Sequence, residues 1–348
     1  MKKLVILGGG FAGAKIAKAL ENYYHVTLID SKNYYEFTPG ILRSIVKTKH
    51  LRKIQVLHRH YLHKAKVLNE NILSISNKQI ITNKRKLKFD YLVICLGSSY
   101  NIPFKEKDII IATRGKNLKE HYKKLCKAKK ITIIGGGIVG VELAAEISEF
   151  YKDKEITIIH SKNKLMERNS IKAINYAEKF LKTRGIKIIY NERAVSYVKK
   201  TVLTDKGTKV KSDMVFICTG IKPNYEPLEK NFKKFLNEKN QIIVNEYLQV
   251  NGYKNIFAAG DITAIKEEKL AQNAEIHADI VIKNLKNIDK NWPSIKYNSK
   301  PRIMVISLGR FNGILQYGNF VLTGLIPGIL KTLIEWKTMI RYKIYPII

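Results

Sequence analysis

Two glycine clusters stand about one domain length apart in the 348-residue chain. The first is Gly8, Gly9, Gly10, then Phe11, Ala12 and Gly13; the second sets Gly135, Gly137 and Gly140 in GGGIVGVELAAE. Each leaves an apolar, β-branched run (KLVIL, KITII) and enters an Ala-rich stretch of helical periodicity. Between a strand and a helix this spacing serves a dinucleotide. The first glycine makes a tight turn, the second lets the backbone approach a pyrophosphate, and the third lets the helix close on the strand. The helix start then turns its N–H groups and positive dipole end toward the phosphates. One such motif is a weak signal. Two predict facing dinucleotide sites, the arrangement that passes a hydride from a nicotinamide to a flavin.

Side chains at the ends of neighbouring strands refine this. Asp30 closes the apolar run HVTLID twenty residues beyond Gly10, where a carboxylate accepts from a ribose hydroxyl. The equivalent run of the second unit, EITIIH, ends in His160, Ser161 and Lys162. No carboxylate there repels a 2′-phosphate, so NADPH is allowed beside NADH. Two further apolar runs, YLVICLG and MVFICTG, stop at Gly97 and Gly220 as equivalent closing strands. Asp261, in FAAGD, is an ordinary helix N-cap in isolation; beside a flavin it can hold the ribityl chain. His277 falls in the next helix, as a packing residue or as a proton source near the flavin when a quinone is reduced.

The elements that must position these residues repeat one plan. Strand, glycine turn, helix, strand, hairpin strands and a closing C-x-G strand occur twice. A strand-rich return covers QIIVNEYLQVNGYKNIFAAGDIT, a helix covers KLAQNAEIHADIVIKNLKN, and β material with Gly turns follows. A final helix places Ile326, Ile329, Leu330, Leu333, Trp336 and Ile340 at helical spacing, among Lys331, Lys337, Arg341 and Lys343. Two readings stay open: an in-plane membrane helix, or an amphipathic helix packed on the protein's own core.

Composition sets bounds. The 63 Lys and Arg against 29 Asp and Glu give +34, which attracts nucleic acid, anionic lipid or phosphorylated ligands. Lys, Asn, Ile and Tyr are abundant together, as an AT-rich coding sequence produces without any partner, and no motif that reads nucleic acid is present. The three cysteines, Cys95, Cys126 and Cys218, form no CxxC pair. A disulfide scaffold, a structural zinc site and a neighbouring-thiol redox centre are not expected, and no metal site is expected. A reducing, cytoplasmic setting fits. The first strand follows MKK directly, so no signal peptide is expected, and Lys2 excludes N-myristoylation. No apolar run reaches the ~20 residues of a transmembrane helix. A peripheral membrane position would rest on the C-terminal helix. The sequence carries no signal for an oligomeric state.

The order GGGFAG, CLGS, GGGIVGVELAAE, CTGIKP, FAAGD resembles the FAD-dependent pyridine nucleotide oxidoreductases. Without a cysteine pair it is most similar to their type II NADH dehydrogenase branch. The resemblance extends through ISLGRFNG and EWKTM, almost to the end. It implies an α/β chain with two Rossmann-like domains in the glutathione-reductase-like arrangement. Residues 1–104 and 241–290 would form a discontinuous FAD-binding domain, 105–240 an inserted NAD(P)H-binding domain, and 291–348 a C-terminal segment. It implies non-covalent FAD, NADH or NADPH as donor and a quinone as acceptor. By position Gly8–Ala12 would meet the FAD pyrophosphate, Lys66 or Val67 the adenine through backbone atoms, and Asp261 the ribityl-phosphate end. Arg43 matches a family arginine, and Glu142 falls at the nicotinamide–flavin junction. The competing expectations are another acceptor (ferredoxin, monodehydroascorbate or oxygen), sulfide oxidation, and a basic DNA-binding, death-promoting flavoprotein.

Overall fold

The structure is a computed structural model that describes residues 1–100, 109–111 and 118–344. Strand β1 (Lys3–Leu7), helix α1 (Phe11–Leu20) and strand β2 (His25–Asp30) make the first βαβ unit. A short helix α2 (Ile41–Val46) and strands β3 (Lys66–Asn69) and β4 (Tyr91–Ile94) complete its half. The second half holds β5 (Ile109–Ile111), α3 (Leu118–Lys127), β6 (Lys130–Ile134), α4 (Ile138–Phe150) and β7 (Glu155–His160). It continues through α5 (Ile171–Thr183), β8 (Lys187–Tyr190) and β9 (Met214–Ile217). The chain returns by β10 (Ile256–Ala258) to α6 (Ala271–Asp289). It then adds β11 (Ile303–Ser307), β12 (Gly313–Tyr317), β13 (Phe320–Gly324) and the helix α7 (Leu325–Lys343).

Both halves are doubly wound. One sheet has the order β10-β4-β1-β2-β3, the other β5-β9-β6-β7-β8, and every pairing within them is parallel. Covering both faces with other elements demands continuous apolar strands, and Leu4–Leu7 and Ile131–Ile134 are buried throughout. The strand order reverses on either side of β1 and of β6. A crevice opens there at the carboxyl ends of the strands, where ligands of such sheets bind. Each half also carries a three-stranded antiparallel sheet, Ile72–Ile75, Gln79–Thr82, Lys86–Lys88 and Ala194–Val198, Thr201–Thr204, Lys209–Lys211. The α/β class and the repeated plan read from the sequence are those observed. The expected domain boundary between residues 104 and 105 lies outside the described residues.

The strand-rich return is not observed as such. Between residues 241 and 261 only β10 is a regular strand; the rest is turns joined by isolated bridges. The Asn245 side-chain carbonyl accepts from the backbone of Tyr247 and of Gln249, and Leu248 sits at φ +63°. This local hydrogen bonding competes with a ladder.

A buried ion pair joins the two halves. Arg43 of α2 donates from Nε (3.1 and 3.2 Å) and Nη2 (2.7 Å) to the Glu146 carboxylate of α4, and from Nη2 to the Gly309 carbonyl at 3.3 Å. Burial pushes the Glu146 carboxyl up, against the pull of the guanidinium. Three segments far apart in sequence therefore meet at one side chain.

Candidate cleft for two dinucleotides

The two glycine turns face one cleft of about 2020 Å³. That is about twice the upper end for a single small-ligand pocket, room enough for two dinucleotides. Its walls also include the Gly97 and Gly220 strand ends, Asp261 and the inner side of α7.

Sterics explain each glycine differently. Gly8 and Gly135 have φ +95° and +110°, and a Cβ on either would overlap the carbonyl of Cys95 or Cys218 on the closing strand. A Cβ on Gly13 or Gly140 would overlap the Gly8 or Gly135 carbonyl. Gly10 and Gly137 differ: a Cβ there would meet no protein atom within 4 Å. They cap α1 and α4 without any side-chain hydrogen bond, so helix N–H groups open onto empty cradle. The residues present fit a pyrophosphate at each turn.

One buried side chain accepts from the backbone of each cleft turn. Asp30 Oδ2 accepts from Gly9 N–H at 2.6 Å. Its carboxyl is held below the usual carboxylate range: burial pushes it up, but His58 and Lys32 more than offset this. In the second half His160 takes the same place, with Nδ1 accepting from Gly136 N–H at 3.1 Å and Nε2–H donating to the Lys164 carbonyl at 2.9 Å. The His160 ring is buried and both nitrogens are engaged, so it does not present itself to a 2′-phosphate. Ser161 lines the cleft and Lys162 does not; Arg168 and Arg193, which the strand-end motif did not reveal, do.

The third acceptor is His277. Its Nδ1 takes Gly260 N–H at 3.0 Å and its Nε2 lies 2.8 Å from Glu267 Oε1. The ring is buried and does not line the cleft. The expectation of a proton source at the flavin is corrected: His277 supports the turn that carries Asp261. Burial raises the Glu267 carboxyl, but hydrogen bonds from His277, Ser299 and Tyr297 outweigh it and bring it down to about 2.

Other expected positions divide. Asp261 reaches the cleft and accepts from Ser98 Oγ at 2.7 Å. Glu142 also lines it; Oε1 accepts from Ser307 N–H at 2.8 Å and from Lys331 Nζ at 3.0 Å. Lys331 comes from α7, and the sequence offered no sign of this pairing across 189 residues. Arg43 does not reach the cleft, because Glu146 and Gly309 hold it between the halves. Lys66 and Val67 pair with Thr27 and Leu28 in the first sheet and do not line the cleft.

The three cysteines are free. Cys95 and Cys218 are buried beneath the two turns; burial pushes the first thiol up strongly and the second to about 12. Such thiols are poor nucleophiles, which weighs against sulfide chemistry. Among the described residues no cluster of His, Cys, Asp and Glu could hold a metal ion, and no helix is long and apolar enough to cross a membrane.

Helix α7 packs one side on the C-terminal sheet and the core and leaves another in solvent. Pro327, Gly328, Thr338, Met339 and Tyr342 pack inward, whereas Ile326, Ile329, Leu333 and Trp336 stand exposed, Ile326 and Trp336 at 63 %. Leu330 and Ile340 of the same stripe are half-buried.

The sequence profile of the family described as "Pyridine nucleotide-disulphide oxidoreductase" matches residues 2–278. Ferroptosis suppressor protein 1 of Mus musculus is 30% identical over 97% of this chain and 95% of its own length. Two solved structures share the fold. The sulfide:quinone oxidoreductase of Aquifex aeolicus has a TM-score of 0.86 at 22% identity, covering 99% of this chain and 92% of that one. NDH2 of Plasmodium falciparum, in complex with NADH, has 0.84 at 19% identity, covering 98% and 96%.

Two outcomes follow from this geometry. Gly10→Ala is expected to keep the unfolding midpoint within about 2 °C while weakening FAD binding by at least about tenfold, since the methyl enters open cradle. Gly13→Ala is expected to lower the midpoint by more than about 8 °C, because its methyl enters backbone; calorimetry and flavin titration read both. Glu267 has a depressed folded-state pKa, so its stabilising share is complete above about pH 4.5 and is lost as pH falls toward 2. The stability gap between parent and Glu267→Gln should therefore be constant from about pH 7 to 5 and narrow from about pH 4.5 to 3 in denaturant titrations.

Proposed function

This chain belongs to the pyridine nucleotide-disulphide oxidoreductase family, and from that premise we propose that it passes electrons from NAD(P)H to a quinone-like molecule drawn from a membrane surface. It is an FAD-dependent NAD(P)H oxidoreductase. The observation that carries the acceptor reading is the double role of α7. Ile334, Lys337, Thr338 and Arg341 line the cleft, while Ile326, Ile329, Leu333 and Trp336 stand exposed on the adjoining face. An apolar acceptor dissolved in lipid would meet the cleft mouth beside this exposed face. The charge of +34 favours anionic lipid beneath such a face. The names of the two structural neighbours, one a quinone oxidoreductase and one a complex with NADH, support the same pairing of donor and acceptor.

In this reading residues 1–104 with 241–290 hold FAD and 105–240 hold NAD(P)H. Bound FAD supplies a two-electron carrier between donor and acceptor. The protein binds, orients and excludes water. Gly8–Gly13 and Asp30 take the FAD adenosine and pyrophosphate half, and Asp261 the ribityl end. Gly135–Gly140 take the donor's pyrophosphate. His160 satisfies the Gly136 N–H without a negative charge, and Arg193 and Arg168 would meet a 2′-phosphate, so both NADH and NADPH are accepted. Glu142 and Lys331 meet where the two halves and α7 converge, and the Lys331 ammonium holds a proton at Nζ beside the acceptor.

An acceptor screen with holoprotein tests this. Quinone turnover should exceed ferredoxin, monodehydroascorbate and oxygen turnover with either nicotinamide donor; quinone turnover no faster than that of the other acceptors sinks the reading. The doubly substituted Leu333→Glu, Trp336→Glu protein should lose at least about tenfold in binding to anionic phospholipid vesicles, because two large apolar side chains leave the lipid. Its turnover with a water-soluble dye should stay within about twofold of the parent, since neither residue lines the cleft.

A further inference from the structure

His58 is buried completely and belongs to none of the motifs read from the sequence. It sits directly behind the first glycine turn. A Cβ on Gly9 would overlap the imidazole and the Asp30 carboxylate, which is why the middle position of this GGG must be glycine. The Tyr61 hydroxyl lies 2.6 Å from Nδ1 and the Asp30 carboxylate faces Nε2; a carboxylate oxygen can only accept, which assigns the ring proton to Nε2 and makes the hydroxyl the donor to Nδ1. Nε2 points at Asp30 Oδ2 from 3.6 Å, too long for a hydrogen bond, and has no hydrogen-bond partner. A fully buried donor left in this state is costly unless something completes it.

The surroundings fix the ring. The Tyr61 side chain packs edge-on against Tyr342 of α7, with centroids 4.8 Å apart, and Tyr342 packs on Tyr35 at 4.3 Å. The end of α7 is fastened there: Lys343 Nζ donates to the carbonyls of Arg52 (2.9 Å) and Lys53 (2.7 Å), and His60 Nε2–H donates to the Lys343 carbonyl at 3.1 Å. The Asp30 carboxylate also lines the cleft, with Oδ2 on Gly9 N–H and Oδ1 on Lys32 N–H at 2.9 Å. Tyr342, Tyr61, His58 and Asp30 thus form one line of contacts from the C-terminal helix to the first dinucleotide turn.

We propose that His58 is a positioning residue for FAD: its Nε2–H closes on the Asp30 carboxylate when that carboxylate takes the flavin's adenosine hydroxyl, and Tyr61, backed by Tyr342, holds the imidazole in the tautomer that can do so. The ligand is the adenosine half of FAD, and the reading is independent of the electron acceptor. His58 does not touch the reacting atoms. It acts by donating to the Asp30 carboxylate that binds the cofactor, so its removal shortens flavin residence rather than altering hydride transfer.

The test uses purified holoprotein and reads free-flavin fluorescence after dilution, with thermal unfolding in the presence and absence of added FAD as the second readout. His58→Gln keeps an amide donor near the Nε2 position, His58→Asn keeps only the Nδ1 side, and Tyr61→Phe removes the hydroxyl and keeps the ring. His58→Gln should release FAD within about threefold of the parent rate, whereas His58→Asn should release it at least about tenfold faster, as loss of a hydrogen bond to a charged group requires. Tyr61→Phe should fall between them. Added FAD should raise the midpoint of His58→Asn less than that of the parent. Equal release from the Gln and Asn variants, or parent-like release from Asn, overturns the proposal. If the His58 variants do not fold, Tyr61→Phe decides: faster release supports the proposal, and a parent rate overturns it.

Discussion

The structure depends on how closely a strand, a turn and a helix approach one another at Gly8–Gly13 and again at Gly135–Gly140. With no Cβ at Gly13 or Gly140, each helix starts directly over the carbonyl of the first glycine. That closeness orients the helix N–H groups into the cleft and sets β1 and β6 at the points where their sheets reverse. It also leaves one turn N–H per site facing inward, away from any ligand. A buried N–H needs an acceptor. Asp30 and His160 supply it, and His277 does the same at Gly260. The two dinucleotide turns share a backbone and differ in the charge of the side chain that completes them.

What the sequence showed and what it hid separate along physical lines. Apolar runs, glycine turns and helical periodicity are local, so both Rossmann-like halves, α6 and α7 could be read directly. Asp30 was legible because its job is tied to a fixed distance from the turn. Arg43 and Lys66 were harder, because the surroundings of the first are set by residues 103 and 266 positions away and those of the second by the neighbouring strand. Arg43 is drawn from the cleft by Glu146 and Gly309, and no local pattern announces either. His277 lies on a helix face where a buried ring and a cleft-facing ring have the same spacing. Lys331 was invisible because Glu142 lies 189 positions away, and His58 because no motif ties it to Asp30 and Gly9 until the first half has folded.

Charge is distributed with some economy. Four ionisable side chains that matter to the cleft, Asp30, Glu142, Glu146 and Glu267, are each held by a cation or by several donors. Isolated buried carboxylates would protonate instead.

The pairing of β10 with β4 sets an order of events. Ile256 lies beside Leu92 in the first sheet although 164 residues separate them, and the whole second sheet is made from the intervening chain. Closing such a loop is slow compared with pairing strands that follow one another. During synthesis the second half is complete while the first still lacks an edge strand and the helix that covers α1. The first half is the first to begin and the last to finish, so a chain cut short between β9 and α6 has a complete second glycine turn facing an unfinished first one.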